Sequence, residues 1–107
     1  MSATTRDNPT NNRYEIVDGD ELAGFTDYRL TGSQIAFTHT EILPAFAGKQ
    51  LAQQLVVDAL DDARRRQLEV MPFCPYVRRF ISRHADYIDL VPETQRERFG
   101  LTTSTEH

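Results

Sequence analysis

The chain has a single cysteine among its 107 residues, so no disulfide can close within it, and nothing in its cysteine usage points to an oxidising compartment. Long apolar runs are missing too. No stretch approaches the roughly 20 residues that a membrane-spanning helix needs, and residues 2–12 contain no hydrophobic targeting core. The cytosol is therefore the expected compartment, with no membrane partner. Basic charge is not in excess. Twelve Lys and Arg stand against 16 Asp and Glu, a formal net charge of −4, whereas a general nucleic-acid binder needs a basic face to neutralise phosphate. Arg64, Arg65 and Arg66, and separately Arg78, Arg79 and Arg83, could form such a face, but no aromatic stacking stripe accompanies them. Nucleic acid is not an expected partner. Internal repeats are absent, and the scattered histidines and cysteine do not make a zinc spacing, so no metal is expected.

What is present is ordinary for a soluble globular protein: 39% hydrophobic and 26% charged residues, with five glycines and five prolines. The length suits one domain with a modest core. The expected domain spans residues 13–99, between a loose polar tail at 1–12 and a frayed end at 100–107. Tyr14, Ile16 and Val17 suggest a first strand, stopped at Asp18-Gly19-Asp20, and Leu22 to Leu30 carry a second, ended by Thr31-Gly32-Ser33. A third strand covers 34–43. Strict alternation would put Ile35, Phe37, His39 and Glu41 on one face and Ala36, Thr38, Thr40 and Ile42 on the other.

After Pro44 and Gly48 comes a long amphipathic helix at 50–67, free of internal glycine and proline, with Leu51, Leu55, Ala59 and Ala63 on one side. A short apolar strand follows at 68–71, and Pro75 can open a second helix bearing Val77, Phe80, Ile81 and His84 at helical spacing. Residues 85–91 form a last strand or loop, before a short helix at 92–99. The order is α/β: an antiparallel meander and then a β-α-β unit, which requires a parallel strand pair. The turn at Ala47–Ala52 and Cys74 would then stand at the carboxyl ends of the two parallel strands, where open α/β sheets bind ligands.

Three features carry possible chemistry. The turn into the long helix would aim backbone N–H groups outward with the helix dipole behind them, which suits a phosphate, although a plain strand-to-helix connection has the same composition. It is neither a dinucleotide fingerprint nor a Lys-Ser/Thr phosphate loop, because both glycine spacings are absent. Cys74, beside Pro75 at a helix start, is either a thiolate favoured by the helix field or a small buried hydrophobe. His39 and Glu41 share a strand face and could take a proton, or be a structural histidine and a solvated edge carboxylate. His84 reads as packing or capping.

In sequence order, His39-Thr40-Glu41, Pro44, Gly48-Lys49-Gln50-Leu51-Ala52, Pro72-Phe73-Cys74-Pro75-Tyr76-Val77 and Arg83-His84-Ala85-Asp86-Tyr87 resemble the compact GCN5-related N-acetyltransferase-like domains of the YjdJ type, from Tyr14 to Val91. The resemblance implies a short acetyl-CoA-binding fold, with acetyl-CoA as co-substrate lying in a splay between two parallel strands. It further implies cofactor contacts at Ile42, Gly48, Lys49, Gln50, Leu51, Ala52, Cys74, Tyr76 and Arg79, and His39, Glu41 and Cys74 as the catalytic candidates. The acceptor would be an amine or a peptide amine. Ala47 stands where the family's pyrophosphate loop usually has arginine or glutamine, and Gln50 where it has a glycine. With ordinary backbone angles Gln50 fits, and it either crowds the phosphate or offers it an amide. A CoA-binding or protein-interaction domain without turnover is the competing expectation.

Overall fold

The computed structural model describes residues 3–48 and 50–101. Five strands, β1 (Ala3–Asn8), β2 (Arg13–Asp18), β3 (Glu21–Thr31), β4 (Gln34–Ile42) and β5 (Glu69–Pro72), form one sheet in sequence order. The first four pair antiparallel, and β5 joins β4 in parallel. Helix α1 (Leu51–Arg65) is the connection between β4 and β5, and α2 (Pro75–Arg83), a 3₁₀ segment at Ala85–Leu90 and α3 (Glu93–Arg96) follow. The meander and the β-α-β unit are thus both present. Thr26 and Phe37 of the sheet meet Val56, Ala59 and Leu60 of α1 and Val77 of α2 around one small internal gap, so both helices cover the same face. That inner face is apolar because Tyr14, Ile16, Tyr28, Ile35, Phe37 and Val70 all project into it and are buried there.

The loose tail expected at 1–12 is corrected by β1, which pairs with β2 from Ala3↔Asp18 to Asn8↔Arg13. Its side chains are polar, so no apolar period betrays it; partners on β2 and β3 hold it instead. Arg6 and Asn8 donate to Glu15 at 3.0 Å each, Arg13 donates to it at 2.8 Å, and Asp7 accepts the Tyr28 hydroxyl at 2.7 Å. Burial opposes the charge on Glu15, but those hydrogen bonds outweigh it and hold the carboxyl below the usual range. At the other end, Phe99 and Leu101 are buried, so the chain is anchored past the expected boundary at 99; residues 102–107 lie outside those described. Between Ala85 and Leu90 there is no strand. Tyr87 donates to Asp61 at 2.8 Å, and Arg64 donates to Asp89 at 2.9 Å and to the Asp86 carbonyl at 2.8 Å, which fastens the segment to α1 as a 3₁₀ turn.

Burial, and then the hydrogen bond to Asp7, push the Tyr28 phenol up to about 12 from the ordinary 10.0. Tyr14 beside it is raised by burial first and by Asp7 next. A phenol that holds its proton more tightly in the folded state contributes stability that is complete below the unfolded value and is lost as pH climbs through the folded one. Denaturant midpoints should therefore fall between pH 10 and about 12. Tyr28→Phe should flatten that fall, and an unchanged slope would show that Tyr28 does not set it.

Candidate functional site

The register of β3 against β4 runs from Gly24↔Ile42 to Asp27↔His39 and resumes at Tyr28↔Phe37, so Thr38 has no opposite number. Paired residues share a face, and one extra residue reverses the phase of everything beyond it. The single face expected for Ile35, Phe37, His39 and Glu41 is corrected accordingly. Ile35 and Phe37 lie on the inner face, His39 and Glu41 on the outer one, and Thr40 and Ile42 turn inward. His39 Nε2 and Glu41 Oε1 do come together, 3.2 Å apart, with about half of each side chain exposed.

β4 and β5 pair only from Gln34↔Glu69 to Phe37↔Pro72, closed by the Cys74 N–H on the Phe37 carbonyl at 2.8 Å. Past Phe37, β4 runs on to Ile42 while the other chain turns off into α2, and the two splay apart. The Leu43 N–H donates to the Ala23 carbonyl at 2.8 Å. By the alternation of an antiparallel ladder, the N–H and C=O of Thr40 and Ile42 therefore point away from β3, into the splay.

At the far end of the splay, Ile42, Phe46, Ala47, Gly48, Gln50, Leu51 and Ala52 line a cleft of about 330 Å³. Helix α1 opens onto it without a side-chain hydrogen bond from its N-cap, Gln50, and without an acidic residue in its first turn. Unsatisfied N–H groups and the positive helix end therefore face the cleft. Gly48 has φ +86°. Gln50, expected to fit with ordinary angles, instead has φ 60° and ψ 26°, a left-handed conformation that costs a non-glycine residue about 1–2 kcal/mol. Of the turn residues singled out in the sequence, Lys49 lies outside those described.

Tyr76 and Arg79 line a second cleft of about 110 Å³ with Gln53, Phe80, Arg83 and His84. Gln53 follows Ala52 on α1, so the two clefts flank the same first turn. The His84 ring stacks on Phe80 at 4.1 Å between centroids, the packing role read from its position.

Cys74 lines neither cleft. It is 2% exposed at the start of α2, with Sγ 3.3 Å from Thr40 Oγ1, which is itself 2.9 Å from Thr26 Oγ1. The bulge puts His39 on the opposite side of the sheet, so Cys74 is gathered with Thr40 and Thr26 and not with His39 or Glu41. The sequence pattern assigns Thr26 no chemical role, and gives Thr40 only a strand face and a place in a motif. Two threonines fourteen residues apart meet only through a register that sequence alone does not reveal.

A larger cleft of about 550 Å³ lies between β1 and α1, lined by Thr5, Arg6, Asp7, Tyr14, Asp58, Asp62, Arg65 and Arg66. Most of its charges neutralise one another: Arg66 pairs with Asp7 at 3.4 Å and with Asp62 at 3.2 Å, Arg65 pairs with Asp62, and Tyr14 donates to Asp62. It is remote from the splay.

The sequence profile described as GCN5-related N-acetyl-transferase matches residues 13–90, leaving β1 outside. Among solved structures, the chain is similar to the NMR solution structure of a GCN5-like protein from Staphylococcus aureus, with a TM-score of 0.64 at 18% identity. The superposition covers 83% of this chain and 87% of that one, a likeness of fold. No curated protein sequence matches the chain significantly.

Proposed function

This chain belongs to the GCN5-related N-acetyltransferase family, and on that premise we propose that it is a short, YjdJ-type N-acetyltransferase that takes an acetyl group from acetyl-CoA to an amine by direct attack. The observation that carries the reading is the splay itself: outward-pointing backbone groups at Thr40 and Ile42, running into a cleft at the N-terminus of α1 whose N-cap side chain makes no capping bond. The N–H groups of the first turn of α1 suit a pyrophosphate, and Gly48, with no atom within 4 Å of where its Cβ would be, leaves the approach open. Tyr76 and Arg79 stand on the other side of that turn, where the rest of the nucleotide would lie.

In the reaction so read, the amine lone pair forms the new N–C bond and the C–S bond breaks with its pair on the CoA sulfur. The proton given up by the nitrogen passes to Glu41 or His39, which stand exposed on the outer face. Backbone N–H groups in the splay steady the developing oxyanion. Cys74 does not carry the acetyl group in this route. Its 2% exposure supports that, because an acyl acceptor needs an open approach from both substrates.

One observation favours a second reading, a CoA-binding or protein-interaction domain with little turnover. Gln50 keeps at the cleft the left-handed backbone that a glycine adopts freely, so binding can persist, while the His39–Glu41 pair and Cys74 lie on opposite faces of the sheet and do not form one catalytic group.

Calorimetric titration with acetyl-CoA and with CoA tests the site. Gly48→Arg should weaken both by about tenfold or more, close to 1.4 kcal/mol, relative to wild type and to Ser33→Ala in the β3–β4 turn at the opposite end of the sheet. Equal affinity in a folded G48R would remove this turn from the site, and a wild type that binds neither compound would end the acetyl-CoA reading.

A further inference from the structure

We propose that Thr40 is a further catalytic residue of this site: two buried donors, the Thr26 hydroxyl and the Cys74 thiol, both end on its side-chain oxygen and turn its own O–H into the splay, toward the thioester carbonyl. The inference rests on the acetyl-CoA reading above and adds a side-chain donor to it.

Thr26 is 0% exposed and Cys74 is 2% exposed, and each has a single side-chain proton to place. Among the described residues, the side chains of both have Thr40 Oγ1 as their hydrogen-bond partner, at 2.9 Å and 3.3 Å. A hydroxyl oxygen accepts two hydrogen bonds and donates one. With both acceptor positions filled from behind, the Thr40 proton has to point elsewhere. Thr40 is half-buried where its two partners are fully buried, and it stands on β4 beyond the last β4–β5 pair, Phe37↔Pro72, so the direction left for its proton is the splay, into which its own backbone N–H already points. Valine would fill the same volume without any buried hydroxyl to satisfy, so packing does not call for the polar pair. Two donors from one residue then converge on one place, fixed before the ligand arrives, which is the arrangement that stabilises an oxyanion most effectively.

The opposite order of protons, Thr26 to Thr40 and Thr40 to the sulfur, would spend the Thr40 proton on Cys74 and leave nothing for the splay. The two orders differ in whether the thiol donates, and that can be read directly. The chain has one cysteine, hence one S–H stretching band in the infrared. The band should lie at the hydrogen-bonded position in wild type and move to the free position in Thr40→Val, with circular dichroism confirming the fold of both. In acetyl transfer to an amine that wild type acetylates, T40V should lose about 10²–10³ in kcat with the acetyl-CoA KM little changed, as for other single oxyanion donors, and Thr40→Ser should recover most of it. Thr26→Val, at a residue too buried to touch substrate, should give a smaller loss in kcat alone, restored by Thr26→Ser. An S–H band at the same position in wild type and T40V overturns the proton order, and T40V turnover equal to wild type overturns the catalytic role. A wild type that fails to bind acetyl-CoA sinks the underlying reading separately, while the band still decides where the Thr40 proton points.

Discussion

Gly24→Ala is expected to destabilise the protein by about 3 kcal/mol or more, and Gly24→Val to leave little folded material, because overpacking against backbone cannot be relieved by a rotamer change. A Cβ at Gly24 would lie 2.5 Å from Ile42 Cδ1, 2.6 Å from the Glu41 carbonyl oxygen and 3.1 Å from Ile42 Cα. The first of these is the tip of a side chain that can swing away. The other two belong to β4, which is pinned to β3 by the ladder from Gly24↔Ile42 onward. A methyl group there must push the end of β4 outward, and that end carries Glu41 and the cleft-lining Ile42. The surviving folded fraction of G24A should accordingly bind CoA more weakly. Urea titration followed by calorimetry with CoA measures both effects. A G24A unfolding free energy within about 0.5 kcal/mol of wild type, the usual size of an innocuous surface change, would show that β4 gives way easily.

The second large effect is on turnover. Glu41→Gln should lower acetyl transfer by about 10²–10⁴ while changing CoA affinity little, the range that a positioned general base supplies. His39→Asn should act in the same direction. The pair is 3.2 Å apart with 57% of the His39 and 48% of the Glu41 side chain exposed, so neither substitution removes core packing and a loss of rate can be read as a loss of chemistry. Both face away from Thr40 and Cys74, so the amine and its proton acceptor would meet on one side of the sheet while Thr40 and Cys74 back the splay from the other. Product should be followed by mass detection over a panel of amines, with spontaneous acylation subtracted. E41Q and H39N that both turn over like wild type would exclude this proton route. No enzyme-dependent product from wild type with any amine would favour the binding-domain reading.

The β-α-β unit could be read from the amino acids because its determinants are local. An apolar stripe at helical spacing, Gly48 before it, Pro72 after the short strand and Pro75 at the next helix start each act on neighbours a few residues away. The same holds for the turn facing the cleft and for the start of α2 at Cys74. The sheet's inner geometry was decided elsewhere. β1 is a strand because Glu15 and Tyr28 offer its polar side chains partners, which no periodicity within residues 1–12 can announce. The phase of β4 beyond Phe37 depends on Thr38 lacking an opposite number in β3, so the placement of His39 and Glu41 outside and Thr40 inside belongs to the pair of strands and not to either alone. Gly24 leaves space to a strand eighteen residues away and has no unusual backbone angle, and Thr26, Thr40 and Cys74 meet across separations of 14 and 34 residues. Short-range patterns specify the elements, whereas register, and with it the identity of every residue that shares a face, is a property of the assembled sheet.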